Sequence, residues 1–205
     1  MLSLLNKKWC LVEPSAETVA LLESGLQLPT AVAVLLANRG VTSIESAKDF
    51  IEAGFGRLHD PFLMTGMSQA VDRVIHALEQ KEAITVFCDY DVDGVTSAAF
   101  LTHFFRDLNY PVEAYLPERQ SEGYGLNSEA VRKIREQGAD LMITADCGIT
   151  GVKEVALANE IGLDVIITDH HQVGEEGLPP AIAVLNPHRS DCEYPYRFLC
   201  GVGLA

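Results

Sequence analysis

Apolar residues follow two rhythms along the chain. In the first quarter they recur three and four positions apart, the spacing of a helix with one buried face. Ser15 stands ahead of a run carrying Val19, Leu22 and Leu26, with Gly25 near its end. Thr30 opens TAVAVLLANR, which stops at Gly40, and Thr42 or Ser43 opens a third segment that stops at Gly54. Small polar side chains ahead of such runs satisfy the first helical amides, and glycine behind them accepts left-handed backbone. Residues 1–14 lack this period and read as a lead-in. Arg39 and Lys48 are the only basic residues in the three segments, so a packing or linking unit fits better than a DNA-reading helix-turn-helix.

After residue 66 the rhythm alternates. Ser68 is the expected cap of a helix with Val71, Val74, Ile75 and Leu78 on one face. Residues 83–88, 111–116, 140–145, 164–168 and 181–185 are short apolar runs and predict strands. Between them lie helical segments: 96–108, with Ala98, Leu101, Phe104, Phe105 and Leu108 on one face; one opened by Asn127 or Ser128 and ended by Gly138; and 152–161. The repeat of roughly 25–30 residues is that of a βαβ unit, and continuous apolar runs suit parallel strands buried on both faces. The pattern therefore predicts an α/β fold, a doubly wound and mainly parallel sheet over residues 80–186, preceded by a small helical subdomain. The expected division is a helical lead-in and subdomain at 1–66 and a second domain at 67–205. No apolar run approaches the ~18 residues of a membrane span.

Composition changes this picture little. The chain has 205 residues, 48% hydrophobic and 21% charged, ordinary values for a folded protein of one or two domains. Lys7 and Lys8 interrupt the N-terminal apolar stretch too early for a secretory signal. Five cysteines (10, 88, 147, 192 and 200) are odd in number with no C-x-x-C, which suggests reduced thiols and a cytoplasmic protein without a thiolate zinc site. The charge matters more. Fifteen Lys+Arg against 29 Asp+Glu give −14, which taken alone argues against a nucleic-acid partner.

The candidate chemistry sits where predicted strands end, the usual ligand edge of an open α/β sheet. The first strand runs into Asp89-Tyr90-Asp91-Val92-Asp93-Gly94, a later one into Asp146-Cys147-Gly148, and the next into Asp169-His170-His171. Five carboxylates and two imidazoles would then meet at one edge. Clustered anions stay ionised in a low dielectric only when cations neutralise them. Carboxylate mixed with imidazole suits Mn²⁺, Mg²⁺ or Fe²⁺ better than a thiolate zinc site. Two divalent ions about 4 Å apart would activate water and brace the oxygens of a displacement at phosphorus. Metal-dependent phosphoester hydrolysis is the expected reaction.

Blander readings compete. A single Asp after a strand is most often a turn former or helix cap. Three acidic strand ends together make that reading insufficient. An EF-hand beginning at Asp89 would need Glu at its twelfth position, which is Phe100. Asp91-Val92-Asp93-Gly94-Val95 resembles the nucleophile segment of haloacid-dehalogenase-type phosphatases. That class needs a later lysine and an acidic pair at another strand end, and the later lysines, Lys133 and Lys153, both fall within predicted helices.

DYDVDG (89–94), ADCG (145–148) and DHH (169–171) together resemble the first three motifs of the DHH phosphoesterase superfamily. LHDPFLM (58–64), EGYGL (122–126), LPPAIAVLNPHRSDCEYP (178–195) and GVGLA (201–205) narrow the resemblance to its single-strand-specific 5′→3′ exonucleases of DNA repair and recombination, over about residues 30–205. The resemblance implies a Mn²⁺- or Mg²⁺-dependent hydrolase acting on single-stranded DNA. It implies Asp91, Asp93, Asp146 and His170 as metal ligands, with Asp146 bridging two ions. Asp89 and Asp169 would be ligands or would orient ligands, and His171 would face the scissile phosphate. Arg119 and Tyr124 would touch the DNA backbone or a base. Two positions depart from the wider pattern: Phe87 stands where many relatives outside the exonuclease branch have His, and Cys88 replaces the usual glycine. The family's fourth metal-binding motif, second lobe and basic DNA-binding domain have no counterpart here. The expectation is therefore an N-terminal catalytic fragment, able to dimerise through an exposed face, and that expectation also answers the charge objection. Two readings remain open beside it: a DHH phosphodiesterase of oligoribonucleotides or cyclic dinucleotides, and an inactive DHH scaffold in a replication or repair assembly.

Overall fold

The structure is a computed structural model and describes residues 10, 12–52, 54, 56, 58–118 and 125–205. The chain divides into two compact units, Met1–Leu58 and His59–Ala205.

The first unit carries α1 (Ala16–Leu26), α2 (Thr30–Asn38) and α3 (Ile44–Ile51). The Ser15 hydroxyl accepts from the Thr18 amide, and Ser43 and Ser46 form a reciprocal capping box on α3. Leu22, Ala33, Leu36, Val41 and Ala47 are buried together as its core.

The second unit begins before residue 67. Asp60 caps a 3₁₀ turn at Pro61–Leu63, Met64 is buried in the core of this unit, and the Thr65 hydroxyl donates to the Asp191 carbonyl at 2.9 Å. Residues 59–66 thus pack with the sheet rather than with the leading helices. Helix α4 (Met67–Gln80) starts ahead of the cap expected at Ser68, which lies inside its first turn. Its N-cap is Gly66, left-handed at φ 94°, and a Cβ there would stand 3.2 Å from the Val184 carbonyl oxygen.

There follow β1 (Ile84–Cys88), α5 (Val92–Asp107), β2 (Glu113–Tyr115), α6 (Ser128–Glu136), β3 (Leu141–Ala145), α7 (Val152–Glu160), β4 (Asp164–Thr168), β5 (Ala183–Leu185) and α8 (Gly201–Leu204). The strands form one parallel sheet in the order β2-β1-β3-β4-β5. One face packs Val86, Cys88, Ile143 and Ile166 against Ala70 and Ala77 of α4 and Ala98, Leu101 and Phe105 of α5. The other packs Phe87, Met142, Val165 and Ile167 against Ala130, Val131 and Ile134 of α6 and Val155 and Ala158 of α7. Side chains alternate across a strand, so two covered faces require the unbroken apolar runs seen in the sequence.

Two features place the candidate site. The chain steps outward from β1 to β2 and then returns to β3 on the other side of β1, which opens a crevice at the carboxyl ends of β1 and β3. The register is level: Cys88 pairs with Ala145, Ala145 with Thr168, and Thr168 with Leu185. The residues that follow these four strands therefore stand in one row, and they are Asp89, Asp146, Asp169 and Asn186.

Helix α5 begins at Val92, four residues before the expected 96. Asp91 is its N-cap and accepts from the Gly94 amide at 2.9 Å, so Asp93 and Gly94 lie in its first turn.

Candidate metal centre

The row of strand-end residues is buried to the last member: Asp89 is 2% exposed, Asp146 1%, Asp169 1% and Asn186 0%. Their backbones extend the ladder by one step, Asp89 N–H to the Ala145 carbonyl, Asp146 N–H to that of Thr168 and Asp169 N–H to that of Leu185. Adjacent strands lie about 4.8 Å apart, so three carboxylates are held side by side at near strand spacing.

Each carboxylate is used differently. Asp89 accepts from the Tyr90 amide at 2.7 Å. Asp169 accepts from the Ile149 amide at 2.9 Å, the His171 amide at 3.0 Å and His171 Nδ1 at 2.7 Å. An ionised carboxylate only accepts, so Nδ1 carries the hydrogen and the tautomer of His171 is set. Asp146 sits at φ 62°, in the left-handed region that short polar side chains tolerate. Its Oδ1 is buried and has no hydrogen-bond partner among the described residues. His170 Nε2 stands 3.0 Å from that oxygen without hydrogen-bond geometry, and 3.7 Å from Asp93 Oδ2.

Burial, and then the charges of Asp93 and Asp91, push the Asp146 carboxyl up from 3.8 to about 7. Burial, and next the charge of Asp91, raise Asp89 despite the Tyr90 hydrogen bond. At His171 burial favours the neutral ring, but the Asp169 hydrogen bond and the Asp169, Asp146 and Asp89 charges outweigh it and raise its pKa. The thiols are passive. Burial and neighbouring carboxylates push Cys88 up to about 12 and Cys147 well above its ordinary value, so neither presents a thiolate.

Two groups of donor atoms, each within 4.8 Å of one another, share Asp146: one adds His170 and His171, the other Asp89 and Asp91. The donor set tests well against a hard divalent cation. Two ligands at right angles on an ion with bonds of about 2.1 Å are about 3.0 Å apart, the separation of His170 Nε2 and Asp146 Oδ1. A buried carboxylate oxygen without a hydrogen bond is costly unless a cation takes it. Carboxylates with one or two imidazoles match Mn²⁺ and Mg²⁺ preferences.

Of the residues singled out in the sequence, Asp89, Asp91, Asp146, His170 and His171 converge in these two groups, and Asp169 orients His171. Asp93 stands outside both. Its Oδ2 accepts from the Gly201 amide at 2.6 Å and its Oδ1 from the Val202 amide at 2.8 Å. The reason is the early start of α5, which turns Asp93 toward the first turn of α8. Arg119 and Tyr124 lie outside the described residues. Gly94 completes the first motif by allowing a close approach: a Cβ there would lie 2.7 Å from the Asp89 carbonyl carbon.

Asn186 is the residue that sequence reasoning missed. Its Nδ2 donates to the His171 carbonyl at 2.9 Å, and its Oδ1 accepts from the His188 amide at 2.7 Å. The signal was present, since Asn186 directly follows the last predicted strand as the acids follow theirs.

Comparison with known proteins gives a consistent picture. The pattern of the DHH family, N-terminal domain, matches residues 83–205. The chain is 43% identical over 198 residues to the single-stranded-DNA-specific exonuclease RecJ of Bacillus subtilis, covering 97% of this chain and 25% of that protein. It is 37% identical over 181 residues to RecJ of Escherichia coli, covering 87% and 30%. A crystal structure of RecJ in complex with Mn²⁺ from Thermus thermophilus matches 95% of this chain and 26% of its own, with a TM-score of 0.67 at 28% identity. One of exonuclease RecJ bound to manganese matches 69% of this chain and 35% of its own, with a TM-score of 0.61 at 36% identity. The chain thus spans about a quarter to a third of the length of these relatives.

Proposed function

The chain belongs to the DHH family, and from that premise we propose that it carries the metal-holding part of a single-stranded-DNA exonuclease, hydrolysing phosphodiester bonds from the 5′ end in DNA repair and recombination. The observation that carries this reading is Asp146: a buried carboxylate with an oxygen that takes no hydrogen bond among the described residues, common to two groups of donor atoms. We assign Asp146 as the shared ligand of two Mn²⁺ or Mg²⁺ ions, with His170 on one side and Asp89 and Asp91 on the other. Bound there, the divalent cations supply positive charge to phosphate oxygens and acidify water.

The chain's own residues do the rest. Asp169 fixes the His171 ring through Nδ1 and holds its backbone amide, while Asn186 holds its carbonyl. The Asp169 contact holds the His171 ring in place as the group that would face the negative charge developing on phosphate oxygens in the transition state. Burial of Asp89, Asp146 and Asp169 keeps water from competing for their oxygens. Asp93, expected from the resemblance as a ligand, also holds α8 beside the site. Arg119 and Tyr124 remain proposed contacts to DNA. No helix among the described residues is long and apolar enough to cross a membrane, and we propose a cytoplasmic location.

The test is digestion of single-stranded DNA in Mn²⁺ by a protein containing this chain at the length of its relatives, comparing wild type with Asp146→Ala. Loss of about 10³-fold or more in kcat is expected for a ligand shared by both ions. Equal rates would overturn the site. Cleavage of dinucleotides but not of long single strands would move the substrate to oligoribonucleotides or cyclic dinucleotides. Absence of Mn²⁺ binding by the wild type would favour a scaffold.

A further inference from the structure

The backbone of Gly201 lies directly against the carboxylate that the site depends on. A Cβ built on Gly201 would stand 2.7 Å from each of Cβ, Cγ and Oδ1 of Asp146. Ordinary contact is 3.4–4 Å, and the atoms met include the root of the Asp146 side chain, which no rotation about χ1 can withdraw. Neither partner is loose. Asp146 is pinned by its amide, which donates to the Thr168 carbonyl at 3.0 Å, and by its left-handed backbone. Gly201 is pinned by Asp93, whose two carboxylate oxygens take the Gly201 and Val202 amides. On either side Leu204 is buried in the apolar cluster of α4 and α5, and Leu199 packs against it.

We propose that Gly201 is a positioning residue of the divalent-cation site. Its bare Cα forms the wall that holds the Asp146 carboxylate with Oδ1 toward His170, and the paired amides of residues 201 and 202 fix Asp93 so that its charge stays beside that wall. Any side chain at 201 displaces Asp146 from the point shared by the two donor groups. This rests on the reading of the site as a cation centre.

The test is Mn²⁺ binding by calorimetry, with thermal melting of the metal-free chain, for wild type, Gly201→Ala and Gly203→Ala. Gly203 is the matched control, because a Cβ there meets Leu199 Cδ2 at 3.4 Å and Cys200 Sγ at 3.5 Å, ordinary contact. Gly201→Ala is expected to weaken Mn²⁺ binding at least tenfold, and Gly203→Ala to bind as wild type does. Wild-type affinity in Gly201→Ala overturns the proposal. If Gly201→Ala also melts lower, Gly201→Ala is made in an Asp146→Gly background, where the atoms it would strike are gone. Recovery of the melting temperature assigns the loss to the Asp146 contact, and an undiminished drop overturns it. A wild-type chain that binds no Mn²⁺ defeats the cation reading instead, which is a separate result.

Discussion

Asp146 concentrates the conflict between stability and chemistry in this protein. Its carboxyl titrates near 7 in the folded chain against 3.8 ordinarily. Between those values the folded chain binds more protons than the unfolded one, so the free energy of unfolding falls as pH rises through that window. Asp146→Asn removes the charge and keeps the shape. The metal-free variant is expected to exceed wild type in stability at pH 8 by about 1 kcal/mol or more, roughly 2–4 °C in melting temperature, with the gap closing toward pH 5. Added Mn²⁺ should then raise the melting temperature of wild type but not of the variant. A variant less stable than wild type at pH 8 would contradict this. Asp169 plays a different part, since its oxygens serve three donors, two on His171 and one the Ile149 amide. Asp169→Asn retains one acceptor and should cost about 10–100-fold in Mn²⁺ affinity or turnover, measured by calorimetry and by single-strand digestion.

Among the elements, capping and chemistry coincide at α5 and separate at α6. Asp91 caps α5 with Oδ1 and also belongs to a donor group, so the ordinary reading of an acid after a strand and the ligand reading are both satisfied by one side chain. Asn127 caps α6 by accepting from the Ala130 amide at 2.8 Å, on a helix whose buried residues face the sheet. Asn127→Ala should therefore lower stability by about 0.5–2 kcal/mol in denaturant melts and leave Mn²⁺ affinity unchanged. A fall in affinity would mean that α6 reaches the site. The strands and helices of the sheet were legible because burial on two faces imposes continuous apolar runs. The start of α5 was not, because a charged Asp-x-Asp segment has no hydrophobic period to mark a helix's first turn. The attachment of residues 59–66 was hidden for a similar reason: it runs through Met64 and the Thr65–Asp191 hydrogen bond, and that partner lies 126 residues away.

For the whole molecule, the charge of −14 now has a place. Several of its acids converge on one site, so the excess is partly a demand for cations rather than a property of the entire surface. Mn²⁺ at 100 times its dissociation constant should stabilise the chain by about 2.7 kcal/mol, with a concentration-dependent melting temperature that a chelator reverses. A melting temperature indifferent to Mn²⁺ and chelator would count against a cation site in the native fold.

The amino-acid sequence by itself determined the class of fold, the five strands and the residue types gathered at their ends, because hydrophobic period and turn chemistry are local properties. It also marked Asp89, Asp91, Asp93, Asp146, Asp169, His170 and His171 as a set. Only the tertiary structure decided which oxygens meet. The level register of β1, β3, β4 and β5 aligns four strand ends in a row, and register is a relation between segments up to a hundred residues apart. For the same reason Asp93 turned out to hold α8, Asn186 to hold His171, and Gly201 to lie against Asp146: each depends on a contact across the fold that no local pattern encodes.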